Sequence, residues 1–211
     1  MQRAGVFIAF EGGDGAGKST HIDRLASWLR AQGHEVLVTR QPGGTDLGAK
    51  IRDLLLHGGH VCARAEVLLF AADKAQHVDL VIRPALEAGR IVLTDRYIDS
   101  AVAYQGAGRE LVTAEVRDLQ IWAVSGLVPD LTVVIDIPPE EGRRRRGGVH
   151  DRLESEKDAF HTVVRERFLA LAAEDPERYL VVDGSALVDE VSARVASAAA
   201  SLLARATMVP E

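Results

Sequence analysis

The sequence lacks several features that would point to particular classes of protein. Its single cysteine, Cys62, cannot form an intramolecular disulfide, which fits a reducing compartment. It contains no asparagine, and therefore no Asn-Lys-x-Asp motif of the kind expected in a GTPase switch. Its apolar runs are too short or too interrupted by charge for a signal-peptide core or a membrane span. We therefore expect a soluble, cytoplasmic protein with no membrane partner.

The chain also lacks a surplus of positive charge. Its formal net charge is −6 over 211 residues, whereas broad binding to duplex nucleic acid needs a basic surface. The hydrophobic fraction of 47% and the charged fraction of 27% are ordinary for a globular protein. The length suits one α/β domain over residues 1–211. We expect no nucleic-acid partner.

Apolar runs of strand length alternate with segments of helical periodicity. The predicted strands are Val6–Phe10, Glu35–Thr39, Ile91–Thr94, Leu131–Ile137 and Tyr179–Val182. The main predicted helices are Leu47–Leu56, Arg64–Leu86, most of Asp99–Val124, Asp158–Ala173 and Leu187–Ala206. Strands separated by helices form parallel sheets covered on both faces. We therefore predict a three-layer α/β fold around a five-stranded parallel sheet, with ligands at the carboxyl ends of the strands.

The segment "GGDGAGKS", Gly12–Ser19, follows the first predicted strand and opens a helix. It fits the phosphate-binding pattern G-x-x-x-x-G-K-[ST] at every fixed position. Glycines let backbone N–H groups converge on phosphate oxygens, and the helix N-terminus adds partial positive charge. In such a loop Lys18 bridges the β- and γ-phosphates, and the Ser19 hydroxyl holds Mg²⁺. The sequence therefore predicts a binding site for a nucleoside triphosphate.

Several classes of protein use this loop, so the fold alone does not decide the reaction. A switch is disfavoured by the missing base-reading motif, and a motor usually needs a larger domain and an arginine supplied in trans. The pattern favours a kinase that phosphorylates a second, smaller phosphorylated molecule. A regulatory protein that binds nucleotide without turnover is the alternative from another class.

Further motifs resemble one family. The segments "EGGDGAGKST", "RQPGGT", "LLFAADKAQH", "DRYIDSAVAYQGAGR" and "VPDLTVVIDIPPE", in this order and spacing, resemble bacterial thymidylate kinase from Val6 to about Ser185. The stretch "DRYIDSAVAYQG" is the most specific part of the resemblance. The resemblance implies a P-loop nucleoside monophosphate kinase fold, transfer of a phosphoryl group from ATP–Mg²⁺ to dTMP giving dTDP and ADP, and a homodimer.

The resemblance also implies four sets of site residues. The ATP-binding set is Gly12, Gly13, Asp14, Gly15, Ala16, Gly17, Lys18, Ser19, Thr20 and Arg143. The dTMP-binding set is Asp14, Gln41, Pro42, Arg52, Phe70, Lys74, Arg96, Ser100, Ala101, Tyr104 and Gln105. The magnesium-binding set is Ser19 and Asp95, and the catalytic set is Lys18, Arg96, Asp14, Arg146 and Arg152.

Five of these residues have definite roles by the resemblance. Arg96 grips the acceptor phosphate, because the guanidinium fork matches phosphate oxygens. Phe70 stacks on the thymine ring, and Tyr104 lies against the sugar where a 2′-hydroxyl would be. Asp95 holds Mg²⁺ through water, and Asp14 lies near the 3′-hydroxyl of the acceptor and the metal.

Three residues depart from the family pattern around the base. Gln41 stands where the usual "REPGGT" has glutamate, and Lys74 replaces the arginine expected after "FAAD". Ala101 occupies a place where a polar side chain often contacts the base. Lys74 donates one hydrogen bond but does not reproduce an arginine fork. A related kinase acting on another pyrimidine monophosphate is therefore the alternative within enzymes.

Four consecutive arginines interrupt an acidic chain in "GRRRRGGVHDRLE", Gly142–Glu154. Thymidylate kinases carry the catalytic arginine either inside the P-loop or in a mobile lid, and Gly15 in the P-loop makes this chain resemble the lid type. The resemblance thus implies a lid over about 142–154, which Gly147 and Gly148 would allow to move.

Within the lid, Arg146 and Arg152 are the preferred catalytic residues, because an inserted arginine stabilises the charge that develops during phosphoryl transfer. The two family types imply that an arginine introduced at Gly15 partly compensates for the loss of a lid arginine. The remaining interpretation of the basic run is a solvated helix face.

Overall fold

Five parallel strands form the sheet at the centre of the computed structural model, which describes residues 5–107, 109, 111–146 and 151–207. The strands are β1 (Phe7–Glu11), β2 (Val36–Arg40), β3 (Ile91–Asp95), β4 (Leu131–Asp136) and β5 (Tyr179–Asp183). Their order is β2-β3-β1-β4-β5, and every pairing is parallel. The predicted sheet is confirmed in number and direction of strands.

Helices separate the strands along the chain. They are α1 (Lys18–Ala31), α2 (Asp46–His57), α3 (Ala63–His77), α4 (Arg83–Glu87), α5 (Ile98–Ala101), α6 (Thr113–Ala123), α7 (Pro139–Arg146), α8 (Asp158–Glu174) and α9 (Val188–Thr207). A π-helical stretch, Val78–Ile82, joins α3 to α4, and a second one, Val102–Ala107, follows α5. No helix in the described ranges is both long and apolar enough to cross a bilayer.

The central strand β1 shows why both faces of the sheet are covered. All five of its residues are buried, and neighbouring side chains point to opposite faces. Ile8 and Phe10 pack in the core cluster that contains residues of α1 and α9. Phe7 and Ala9 pack on the other face, with residues of α4 and its π-helical neighbour. The result is the predicted three-layer arrangement.

The strand order also gathers the polar ends of three strands. β3, β1 and β4 are neighbours, and each ends at the same edge of the parallel sheet. The P-loop follows β1, Arg96 follows β3, and α7 follows β4 after a short connection. The edge of the sheet therefore carries a phosphate-binding loop flanked on one side by Arg96 and on the other by the start of the predicted lid.

Candidate active site

The P-loop is built on three glycines with left-handed backbone. Gly12, Gly15 and Gly17 have φ values of 128°, 78° and 92°, which side chains rarely adopt. Lys18 begins α1, and its Nζ donates to the carbonyl oxygens of Gly12 at 3.2 Å and Gly13 at 3.0 Å. Burial lowers the pKa of Lys18, and the charge of nearby Arg96 acts in the same direction. A cationic group is thus held inside the curve of the loop.

Arg96 is the centre of a hydrogen-bonded cluster beside the loop. Its φ of 67° is unusual for a residue with a side chain, and its guanidinium turns into the site. The guanidinium donates to the Gly12 carbonyl oxygen at 3.1 Å, Ser100 Oγ at 2.9 Å, Asp14 Oδ1 at 2.5 Å and Tyr104 Oη at 3.2 Å. Tyr104 in turn donates to Asp14 Oδ2 at 2.9 Å. The cluster fixes the direction of Arg96 before any phosphate is bound.

Burial alone would raise the pKa of Asp14. The charges of Arg96 and Lys18 overcome that effect, so the pKa lies well below its usual range and Asp14 is ionised. Arg96 and Asp14 therefore form a charged pair whose cation has further donor capacity toward an anionic ligand.

A second carboxylate, Glu11, lies beneath Arg96. It is fully buried and accepts hydrogen bonds from the backbone N–H of Tyr97 at 2.8 Å and from Ser100 Oγ at 2.5 Å. Burial raises its pKa to about 7, and the neighbouring charge of Asp99 adds to the effect. The sequence interpretation missed Glu11, although a carboxylate closing an otherwise apolar strand was a signal for it.

One pocket next to the P-loop is lined by every residue of the predicted dTMP-binding set. The shared members are Asp14, Gln41, Pro42, Arg52, Phe70, Lys74, Arg96, Ser100, Ala101, Tyr104 and Gln105. Leu56, Tyr97, Asp151, Leu153 and Glu154 also line it and were not predicted. The structure therefore brings together residues from α2, α3, α5, the segment after β3 and the lid around one cavity.

A second cleft runs along the P-loop and meets this pocket. Its lining includes Lys18, Ser19 and Asp95 from the predicted donor and metal sets, together with Thr20 and Arg146. The two cavities share Asp14, Gln41, Arg52, Arg96 and Glu154. A donor in the cleft and an acceptor in the pocket would thus meet at Arg96 and Asp14.

Comparison with known proteins gives the family. A family model described as "Thymidylate kinase" matches residues 10–195 of the chain. The chain belongs to the thymidylate kinase family. It is 55% identical to a thymidylate kinase of Clavibacter sepedonicus over 204 residues, which cover 95% of this chain and 97% of the relative.

Two further relatives support the same assignment. The thymidylate kinase of Bifidobacterium longum (strain NCC 2705) is 50% identical over 198 residues, which cover 92% of this chain and 96% of that protein. The crystal structure of thymidylate kinase from Ehrlichia chaffeensis superposes with a TM-score of 0.77 at 30% identity, covering 92% of this chain and 98% of the other. The predicted fold is confirmed as that of a P-loop kinase.

Gln41, the first departure from the thymidylate kinase pattern, belongs to a buried polar chain. Its Nε2 lies 2.9 Å from His77 Nδ1, and His77 Nε2 lies 2.7 Å from Thr39 Oγ1. Burial lowers the pKa of His77 to about 4, and the charge of Lys74 adds to the effect, so the ring is neutral at pH 7. A neutral amide at position 41 suits a neutral imidazole, and the chain accommodates Gln41 without an unpaired charge at this position.

Lys74, the second departure, is fully buried below Phe70. Its Nζ lies 5.2 Å from the centroid of the Phe70 ring and donates to the Phe70 carbonyl oxygen at 3.5 Å. Burial lowers the pKa of Lys74 to about 8. Ala101, the third departure, faces the same pocket and packs in a core cluster with Val67 and Val116. The residues predicted to face the base therefore offer one aromatic ring, that of Phe70, and one cationic donor, the Lys74 ammonium.

The four consecutive arginines of α7 diverge in direction. Arg143 pairs with Asp158, Arg144 with Glu141 at 2.8 Å, and Arg145 with Glu141 at 2.7 Å. Arg144 is 75% exposed, and its contacts are those of a solvated helix face. The fourth arginine, Arg146, has different contacts.

Arg146 turns toward the P-loop. Its side chain is only 14% exposed, and its Nη1 lies 3.7 Å from Asp14 Oδ2 and 3.9 Å from Glu154 Oε1. Its Nε is buried and has no hydrogen-bond partner among the described residues. Arg145 also lines the cleft, but its Nε and Nη1 donate to Glu141 and to the Gly184 carbonyl oxygen. The basic run is therefore not one uniform surface.

Arg152, at the other end of the predicted lid, lies against α2 and α3. Its Nε donates to the Leu55 carbonyl oxygen at 2.8 Å, and its Nη2 pairs with the fully buried Glu66. Glu66 also accepts from Gln105 Nε2 at 2.9 Å and Arg109 Nε at 3.3 Å. The sequence interpretation treated Arg146 and Arg152 alike, and the structure puts them in different environments. Gly147 and Gly148, which were predicted to allow lid movement, lie outside the described residues.

The P-loop and α7 are in direct backbone contact. A Cβ on Gly15 would overlap the carbonyl oxygen of Gly142, and φ at Gly15 is +78°. An arginine at Gly15 therefore has no room while α7 occupies this position. This overlap argues against the expectation that such a substitution would compensate for a lost lid arginine, because the helix that carries the arginine fills the space.

Proposed function

We propose that this chain, which phosphorylates dTMP as a thymidylate kinase, binds the phosphates of ATP in the cleft at the P-loop and dTMP in the adjoining pocket. The supporting observation is that both cavities are lined by Arg96 and Asp14. Transfer then takes place at the junction, where the acceptor phosphate and the γ-phosphate come together. The reaction forms a bond between an acceptor phosphate oxygen and the γ-phosphorus and breaks the bond to ADP.

On the donor side, the backbone N–H groups of Gly12–Ser19 and the start of α1 receive the phosphates. The Lys18 ammonium exchanges its carbonyl contacts at Gly12 and Gly13 for β- and γ-phosphate oxygens. Such a charge acts mainly on the group being transferred, where preorganised donors are most effective.

On the acceptor side, Arg96 binds the dTMP phosphate. It is already oriented by Gly12, Ser100, Asp14 and Tyr104, so little side-chain freedom is lost on binding. Arg52 supplies a second cation at the same wall of the pocket. Phe70 stacks on the thymine ring, and Lys74 below it donates to a base carbonyl. Tyr104 closes the space at the sugar.

Magnesium is the metal that this arrangement fits. The Ser19 hydroxyl and the Asp95 carboxylate line the same cleft, and Asp95 Oδ1 is buried without a hydrogen-bond partner among the described residues. Mg²⁺ favours a few oxygen ligands from the protein together with water and substrate phosphates. When bound, the ion neutralises phosphate charge, and Ser19 and Asp95 would hold it beside the P-loop.

Arg146 is the lid arginine proposed to act in catalysis. It faces the cleft, is largely buried, and pairs with Asp14 only at 3.7 Å. Its spare donors match the charge that develops on the transferring group. Arg143 and Arg145 hold the surrounding helix to Asp158 and to the Gly184 carbonyl oxygen.

We further propose a cytoplasmic homodimer. Leu68 on α3 is 56% exposed, and Trp122 on α6 is 78% exposed. The two helices pack against each other, so these exposed apolar side chains lie on neighbouring elements. An exposed apolar side of this kind is typical of a surface covered by a partner.

A coupled ADP-release assay over a panel of nucleoside monophosphates tests the proposed function. We expect dTMP to give the highest kcat/KM, with dUMP and dCMP lower. A better acceptor than dTMP would indicate the kinase for another pyrimidine nucleotide, and ADP release that does not depend on an acceptor would indicate a protein without kinase activity. Lys18→Ala is the control and should abolish turnover in a chain that still folds.

A further inference from the structure

The contact between the P-loop and α7 involves one glycine from each side. A Cβ on Gly142 would overlap the carbonyl oxygen of Asp14 and lie 3.2 Å from Ile137 Cδ1. A Cβ on Gly15 would overlap the carbonyl oxygen of Gly142 and lie 3.0 Å from its Cα. The two backbones therefore touch at a point where neither residue can carry a side chain without displacement.

Gly142 also has a fixed relation to Arg146. The two residues are four positions apart on α7, and residues at this spacing lie on one face of a helix. Gly142 is buried against Asp14, and the Arg146 side chain reaches the same Asp14 one turn later. The closeness of α7 to the loop therefore sets how far the Arg146 guanidinium extends into the cleft.

We propose that Gly142 positions Arg146 for phosphoryl transfer by letting α7 lie directly on the P-loop. This inference rests on the proposed catalytic role of Arg146. Glycine inside a helix is normally unfavourable, because it loses more backbone freedom on folding than alanine does. Its place in α7 is explained by the close approach, which even a methyl group would prevent.

A side chain at position 142 is expected to displace α7 rather than to remove any of its contacts. Alanine at position 142 would push α7 away from Asp14 by a fraction of an ångström to an ångström, and Arg146 would move with it. A misplacement of about 1 Å at a catalytic group can cost about 10²-fold in rate. The substitution should act on kcat, because Arg146 is proposed to bind the transition state more strongly than either substrate.

The test compares Gly142→Ala with Arg146→Ala and with the double variant, measuring kcat, both KM values and the melting temperature. We expect Gly142→Ala to lower kcat by about 10-fold or more, with both KM values within about 3-fold. The melting temperature should fall, because the overlap of the new Cβ with the Asp14 carbonyl oxygen outweighs the better helix propensity of alanine. In the Arg146→Ala background the same substitution should change kcat by less than about 2-fold, because residues acting through one group are not additive.

Gly59→Ala is the matched control, because a Cβ there meets nothing within 4 Å. Gly15→Ala presses on the same contact from the loop side and provides a second cycle with Arg146→Ala if the Gly142→Ala chain does not fold. Alanine at position 15 is also strained within the P-loop by its φ of +78°, so only the part of its kcat loss that acts through α7 should disappear in the Arg146→Ala background.

Three results would overturn the inference. They are wild-type kcat in Gly142→Ala, equal losses with and without Arg146, and an effect confined to the KM for ATP. The last result would mean that the glycine contact serves the P-loop alone. The single variant Arg146→Ala decides the proposed function separately, because an unchanged kcat there would remove the catalytic role of Arg146 whatever Gly142 does.

Discussion

The two ends of the predicted lid, residues 142–154, hold their arginines in opposite ways. At the α7 end, Arg146 has ion pairs of 3.7 Å and 3.9 Å and a buried Nε with no partner in the part of the chain that the structure describes. At the other end, Arg152 is engaged by the Leu55 carbonyl oxygen and by Glu66, a carboxylate with no exposed surface. The first guanidinium has donors left for a ligand, whereas the second has its Nε and Nη2 donors committed to the protein.

This difference separates two uses of the same residue type. A buried cation whose hydrogen bonds are satisfied mainly stabilises the arrangement around it, since removing it leaves its partners unpaired. A cation with unsatisfied donors in a cleft is suited to an anion that arrives later. We infer that Arg152 anchors the lid on α2 and α3, while Arg146 serves the reaction.

Arg146→Ala should produce the largest effect that the comparison predicts. We expect kcat to fall by about 10²-fold or more, equivalent to about 3 kcal/mol of barrier, with smaller changes in either KM. Steady-state kinetics measures this directly. Arg144→Ala, which removes an exposed member of the same run, is the control and should stay close to wild type. Similar small losses of kcat in both variants would indicate that the basic run is a solvated helix face.

Arg152→Ala should act on stability more than on rate. Glu66 would lose one of its charged partners inside the protein, and we expect the free energy of unfolding to fall by about 1–3 kcal/mol. Urea denaturation measures the change, and kcat should remain within about 10-fold of wild type. Arg117→Ala is the matched control, because its pair with Glu174 is exposed and contributes little. A kcat loss as large as that of Arg146→Ala, with unchanged stability, would reverse the assignment of the two arginines.

Acid should reduce the stability difference between wild type and Arg152→Ala. Burial acts to raise the pKa of Glu66, but hydrogen bonds from Gln105, Arg152 and Arg109 outweigh it, so the pKa lies below its ordinary value. The stabilisation is therefore fully present above the pKa of the unfolded chain and is lost as pH falls through the folded pKa. As the pH falls from about 7 through the folded pKa of Glu66, the stability penalty of Arg152→Ala should therefore shrink. A penalty that is constant over this range would mean that Glu66 and Arg152 do not interact as a charged pair.

The sequence predicted the parts of this site that are written as contiguous motifs. The P-loop, the residues after β3 and the aromatic and cationic positions of α3 could be identified because their spacing along the chain is itself the signal. The strands were also predictable, since a buried parallel sheet needs continuous apolar runs. Even so, the predicted helix Arg64–Leu86 is divided by a π-helical stretch before Pro84, whose missing N–H interrupts the regular hydrogen bonding.

The remaining features depend on contacts between distant segments. The partner of Arg152 is Glu66, which is 86 residues away on α3. Leu153 packs with Phe70 and lines the acceptor pocket, but a leucine in a charged lid gives no local sign of that contact. In the sequence, Gly142 cannot be told from any other glycine that interrupts a helix, because its role depends on the contact with the P-loop. Local patterns identify the residue types, whereas the tertiary structure determines their contacts.

The meeting of Gly15 and Gly142 also bears on how such a site can change by single substitutions. A side chain introduced into the loop displaces α7, so a chain that gained a loop arginine would lose the position of Arg146 at the same step. A side chain introduced at 142 moves α7 without supplying any new cation. With the proposed catalytic role of Arg146, an arginine in the P-loop and an arginine on α7 therefore exclude each other for as long as the two backbones touch at Gly15 and Gly142.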